Sequence, residues 1–106
     1  MKKILVSHLV DLHPRIGRKV VVGDEEIAVF RLSDDEIRAI SNVCPHRQGP
    51  LVDGTVMGHT VTCPLHSSRF DLDDGEILYT PDNQSGCVKT YPTQIEDGNV
   101  YVFLEE

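Results

Sequence analysis

Cysteine is scarce in this chain, with only Cys44, Cys63 and Cys87 among 106 residues. An odd number closes no complete disulfide framework and suits a reducing compartment, so the expected setting is cytoplasmic. Long apolar runs are also missing. The run from Ile4 to Val10 is short and broken by Ser7 and His8, unlike an export signal, and nothing approaches the roughly 20 apolar residues of a membrane span. Basic charge is low too: 10 Lys and Arg stand against 17 Asp and Glu, a formal charge of −7. That balance argues against nucleic acid or an anionic membrane as partner, and leaves room for a basic patch on another protein. There is no helical period of useful length, no repeat and no low-complexity segment.

What is present is a series of short strand-like stretches separated by turn signals. Strands are expected at Ile4 to Val10, Lys19 to Val22, Ile27 to Leu32 and Glu36 to Ser41. A hairpin follows with Thr55-Val56 and Thr60 to Thr62 around Met57-Gly58-His59. Arg69 to Leu72 then turns through Asp73-Asp74-Gly75 into Ile77-Leu78. After strand-like material at Val88 to Tyr91 and Gln94 to Glu96, the Asp97-Gly98 pair predicts a tight hairpin into Val100 to Leu104. The class is therefore all-β, and the length suits a single domain over residues 1–106. A chain this size buries a modest core, so a metal centre that ties loops together would matter to its stability.

The pattern that carries chemistry is Cys44-Pro45-His46 followed, after sixteen residues, by Cys63-Pro64-Leu65-His66. Each half offers one thiolate and one imidazole beside a proline that favours a loop. Chance placement, a structural zinc site and a two-iron cluster are the three readings. Zinc accepts two thiolates and two imidazoles, but its usual modules do not mix Cys and His within each knuckle. The mixed arrangement suits a two-iron core with both thiolates on one iron and both imidazoles on the other.

With NVCPH at Asn42 to His46 and TCPLHSSRF at Thr62 to Phe70, the sequence resembles the Rieske iron–sulfur family. The resemblance implies an antiparallel β-sandwich with a small cluster-binding subdomain, about residues 42–72, formed by two loops. It implies one [2Fe-2S] cluster per chain, with Cys44 and Cys63 on the buried iron and His46 and His66 on the outer one. Two neutral imidazoles in place of two thiolates remove about two negative charges, which eases reduction; Rieske potentials span roughly −150 to +300 mV against about −400 mV for plant-type centres. The high-potential branch has a cysteine pair where this chain has Gly49 and Leu65, so that disulfide is impossible here. Ser68 matches a serine that donates to a bridging sulfide, whereas Phe70 replaces a hydroxyl-bearing tyrosine. The expected potential therefore falls below the respiratory class. Ser67 stands where the family commonly has glycine, a strained choice if the position needs positive φ.

Other residues admit quieter roles. Cys87 is expected to be a small buried residue, and His8, His13 and His59 to occupy surface or turn positions. Arg47, Pro50, Leu51 and Leu65 either rim the approach to the histidines or pack the loops. Asp71, Asp73, Asp74 and Glu76 read as a solvated turn.

The chain shows no catalytic triad order and no phosphate-binding glycine fingerprint, so no independent catalysis is expected. Within the family, VGDEEIAVFRL at Val22 to Leu32 and GCVKTYPTQIEDGNVYVFL at Gly86 to Leu104 resemble the small subunits of assimilatory NAD(P)H-dependent nitrite reductases. This implies a large catalytic subunit as partner, bearing FAD, siroheme and a [4Fe-4S] cluster and reducing nitrite to ammonium, with this chain assisting electron transfer or assembly. The alternatives are a Rieske ferredoxin supplying an aromatic-ring dioxygenase, and a redox-inactive structural or zinc-binding module.

Overall fold

The computed structural model describes residues 2–33, 36–43, 50–64, 67–79 and 87–105. The strands are β1 (Lys2–His8), β2 (Arg18–Val22), β3 (Glu25–Arg31), β4 (Ile37–Ser41), β5 (Thr55–Met57), β6 (Thr60–Thr62), β7 (Arg69–Asp71), β8 (Ile77–Tyr79), β9 (Thr90–Tyr91), β10 (Thr93–Glu96) and β11 (Asn99–Leu104). They form three antiparallel sheets in the orders β1-β11-β10, β2-β3-β4-β9 and β5-β6-β7-β8. The all-β expectation holds. No helix among the described residues is long and apolar enough to cross a membrane.

The sheet of β2, β3, β4 and β9 is the middle layer, because β3 is buried on both faces. Ile27 and Val29 join Val100, Val102 and Leu104 in one core, while Ala28 and Phe30 join Leu51, Val56, Val61, Cys63 and Phe70 in the other. Successive side chains of a strand point to opposite faces. The unbroken apolar run Ile27-Ala28-Val29-Phe30 is therefore what a strand between two cores needs. Fully burying the side chains of Ile27, Val29 and Phe30 stabilises by about 1.5–3 kcal/mol each.

Local chemistry sets the turns. Asp97 and Gly98 both have positive φ, 52° and 79°, the geometry of a two-residue hairpin that Asp-Gly favours. The hairpin expected around Met57-Gly58-His59 is one residue tighter, since Met57 still pairs with Thr60. In the acidic turn, the Asp71 and Asp74 carboxylates accept from the backbone N–H groups of Asp73 and Glu76 at 2.7 and 2.9 Å. Gly75, at φ 77°, brings its backbone so close to the Val88 carbonyl that a Cβ would lie 2.1 Å from it.

One strand ends earlier than its sequence suggests. The ladder between β1 and β11 runs out at His8 opposite Asn99. Leu9–Asp11 then curls into a single 3₁₀ turn, anchored by Leu9 N–H on the Gly98 carbonyl at 2.8 Å. Val10, expected in a strand, is consequently 84% exposed.

Charged groups tie the third sheet to the middle one. Arg38 on β4 donates to Asp73 at 2.7 Å and to Glu36 at 3.2 Å, and His59, in the β5–β6 turn, lies 2.9 Å from Asp73. Arg38 first, and then His59, holds the Asp73 carboxyl below the usual carboxylate range. A carboxyl depressed by folding contributes stability above its unfolded pKa and loses it as pH falls through the folded value. Asp73→Asn is thus expected to cost no more than about 1 kcal/mol at neutral pH, because the group is half in water. The difference should vanish once the pH falls below the usual carboxylate range, which urea melts at neutral and acid pH will test.

The return segment is clamped similarly. Lys89 Nζ and Tyr91 Oη both donate to Glu25 Oε1, at 3.0 and 2.9 Å. Lys89, followed by Tyr91, lowers the Glu25 pKa, while burial first and then the neighbouring carboxylate raise that of Tyr91.

Candidate metal centre

The first loop leaves the end of β4. An isolated bridge pairs Val43 with Pro50, and the Leu51 N–H donates to the Asn42 carbonyl at 2.8 Å. A 3₁₀ turn at Leu51–Asp53 follows, with Leu51 fully buried. The Asn42 side chain, itself buried, accepts from the Val52 N–H at 2.7 Å and donates to Glu26 Oε1 at 3.3 Å. Both ends of the loop are therefore held at its base.

The second loop is closed by Cys63 itself. Its N–H donates to the Ser68 carbonyl at 2.7 Å and its carbonyl accepts from the Ser67 N–H at 3.2 Å. Ser67 has φ 66°, so the position does require the left-handed conformation in which glycine is at ease. Ser67→Gly is expected to stabilise the protein by about 0.5–1 kcal/mol, the relief of left-handed strain outweighing the added freedom of the unfolded chain. Denaturant melts of the metal-free protein will measure it.

Cys63 is 2% exposed and in no disulfide, and Ser68 and Phe70 are fully buried. The Phe70 ring shares a core with Cys63 and Leu51, so the bases of the two loops meet across one apolar floor. Gly54 makes the approach possible: a Cβ there would sit 2.5 Å from the Thr62 carbonyl, just before Cys63. A buried soft sulfur in a tight turn closed by backbone hydrogen bonds fits the donor chemistry of an iron–sulfur centre and would equally suit zinc.

Cys44, His46, His66, Gly49, Leu65 and Arg47 lie outside the described residues, so Cys63 is the one predicted ligand whose surroundings are described. Leu51 is a floor residue and not part of an exposed rim, because the 3₁₀ turn points it inward. Cys87 is exposed, contrary to expectation: it bridges Glu76 on the sheet edge, and the strand alternation gives the inward place to Val88. Asn42 was legible only as a member of NVCPH. Its partners come from β3 and from beyond the loop, and no local signal announces them.

A β scaffold that holds the stems of two loops on a shared apolar floor is suited to carry a metal centre. The chain belongs to the Rieske [2Fe-2S] domain family, whose model matches residues 2–92, and a [2Fe-2S] cluster is accordingly its cofactor and electron transfer its role. The ferredoxin component of the naphthalene 1,2-dioxygenase/salicylate 5-hydroxylase systems of a Ralstonia species is 38% identical over 86 residues, 81% of this chain and 80% of its own length. Among solved structures, the carbazole 1,9a-dioxygenase ferredoxin of Nocardioides aromaticivorans superposes with a TM-score of 0.87 at 28% identity, covering 96% of this chain and 97% of that one. A candidate NADH-dependent nitrite reductase small subunit from Mycobacterium tuberculosis gives a TM-score of 0.85 at 28% identity, covering 95% and 93%.

Proposed function

We propose that residues 1–106 form one Rieske domain that passes single electrons within a cytoplasmic NAD(P)H-dependent nitrite reductase, its cluster held by Cys44 and Cys63 on one iron and by His46 and His66 on the other. The observation that carries the electron-transfer reading is buried Cys63 at the base of a turn, in one apolar core with Leu51 at the exit of the first loop. When bound, the cluster supplies a one-electron acceptor and donor. The chain's own part is to bury one side of the centre over Leu51 and Phe70, to hold the loop ends through backbone hydrogen bonds and Asn42, and to leave substrate chemistry to a larger subunit bearing FAD, siroheme and a [4Fe-4S] cluster. The partner assignment is supported by the resemblance of Gly86 to Leu104 to nitrite reductase small subunits and by the likeness to the M. tuberculosis protein. In the described part of that segment, Lys89 and Tyr91 clamp Glu25 and β10–β11 complete a sheet.

A second reading, a ferredoxin for an aromatic-ring dioxygenase, is favoured by the 38% identity to the Ralstonia ferredoxin component. Affinity purification from native cells grown on nitrite separates the two. Co-purification with a large flavin- and siroheme-containing protein whose nitrite reduction falls when this chain is depleted supports the first. Efficient reduction of an isolated oxygenase by the purified chain, with no such partner, supports the second. Anaerobically prepared protein should contain about two irons and two acid-labile sulfides and give an EPR signal only when reduced. Zinc without sulfide, in protein matured with ample iron, would overturn both.

A further inference from the structure

We propose that Asn42 is a positioning residue for the cluster, fixing the two stems of the first ligand loop against β3 through Glu26. The inference rests on the proposed assignment of Cys44 and His46 as ligands. Asn42 is 3% exposed, and its polar groups are engaged on both the main chain and the side chain. Its backbone N–H donates to the Glu26 carbonyl at 2.9 Å, and its carbonyl accepts from the Leu51 N–H at 2.8 Å. Its side-chain oxygen accepts from Val52 N–H at 2.7 Å, while its amide nitrogen donates to Glu26 Oε1 at 3.3 Å. One residue thus joins the strand entering the loop, the turn leaving it and a strand sixteen positions earlier in sequence.

The chemistry at this point requires an amide. The Val52 N–H can only donate, so the group facing it must accept. The Glu26 carboxylate can only accept, so the group facing it must donate. Glu26 is ionised there, since Lys19 Nζ at 3.2 Å, and secondarily the Asn42 amide, lower its pKa. An aspartate of the same shape would keep the first contact and set two carboxylates against each other at the second. A leucine would fill the volume and leave the Val52 N–H without its acceptor. Because Cys44 follows Asn42 by two residues, displacement of this anchor moves the stem from which the loop's thiolate and imidazole both project.

The test is an exchange of the donor and acceptor roles, carried out on the full chain matured with its cluster. N42D is expected to lose the cluster to a chelator roughly 10–100-fold faster than wild type, with shifted EPR g-values and midpoint potential. E26Q alone should stay near wild type, because the glutamine oxygen still accepts from Asn42. In the double variant N42D/E26Q, the introduced glutamine amide donates to the introduced aspartate, and the decay rate should return to within roughly threefold of wild type with its EPR spectrum restored. A merely structural role would lower the melting temperature of the metal-free protein without altering the spectrum of the cluster that remains. Wild-type decay and spectrum in N42D, or no recovery in the double variant, overturns the proposal. If N42D does not accumulate, E26A removes the acceptor for the amide together with the Lys19 ion pair, and K19A, which removes that pair alone, is its control: decay several-fold faster than in K19A supports the proposal and decay equal to it refutes it. C44A keeps the two inferences apart. Full cluster retention in C44A defeats the ligand assignment, whereas its loss together with an N42D variant that behaves as wild type defeats the Asn42 proposal alone.

Discussion

Cys63→Ala should yield a colourless protein that holds neither iron nor sulfide in the ratio of a two-iron centre. Loss of a partner outside the coordination shell commonly lowers metal affinity about 10–100-fold, and loss of a thiolate ligand should exceed the upper end of that range. The side chain sits over Leu51 and Phe70 in an apolar core, in which no carboxylate among the described residues takes part that could substitute for the sulfur. Cys87→Ala is the matched control. That thiol is exposed and its backbone bridge to Glu76 does not involve the side chain, so iron and sulfide content should be unchanged. Iron and sulfide assays with the visible spectrum decide the matter, and an alanine variant that keeps a full complement of both would remove Cys63 from the ligand set.

The largest effect on folding is expected from Phe30→Ala, about 3–5 kcal/mol, a large part of the roughly 5–15 kcal/mol that holds a domain of this kind together. Phe30 is fully buried on the face of β3 that looks toward the loops. Its ring closes over Gly17, where an added Cβ would already lie 2.8 Å from Phe30 Cε1 and 2.6 Å from the Val52 carbonyl. Tight packing on that side leaves little freedom for neighbours to collapse into the cavity, which places the cost toward the upper part of the range. Phe30→Leu should recover more than half of the loss. Urea melts of the metal-free protein measure both, and an alanine variant within about 1 kcal/mol of wild type would show that the middle sheet does not depend on this contact.

How far the structure was legible depended on the range of the forces involved. The Asp97-Gly98 hairpin was readable because a two-residue turn with positive φ at both positions is a property of those two residues. Strain at Ser67 was implied instead by the family resemblance, which puts glycine at that position, and the φ of 66° meets the condition on which it depended. Strand existence followed from local composition, but strand ends did not: β1 stops at His8 because β11 offers no residue beyond Asn99 to pair with. The exposure of Cys87 was misjudged, and the choice between rim and packing roles for Leu51 was left open, since each depends on which face a distant strand covers.

By itself, the sequence determined the chemistry: two mixed Cys and His knuckles with prolines beside the cysteines, a family, and an all-β scaffold cut by local turns. Donor type and knuckle spacing are covalent facts and need no fold to be read. Only the tertiary structure decided that the two loop bases share a floor of Leu51, Cys63 and Phe70, and that Asn42 joins them to Glu26. Burial and the satisfaction of polar groups are collective: they arise when strand register brings together residues that no short stretch of chain connects.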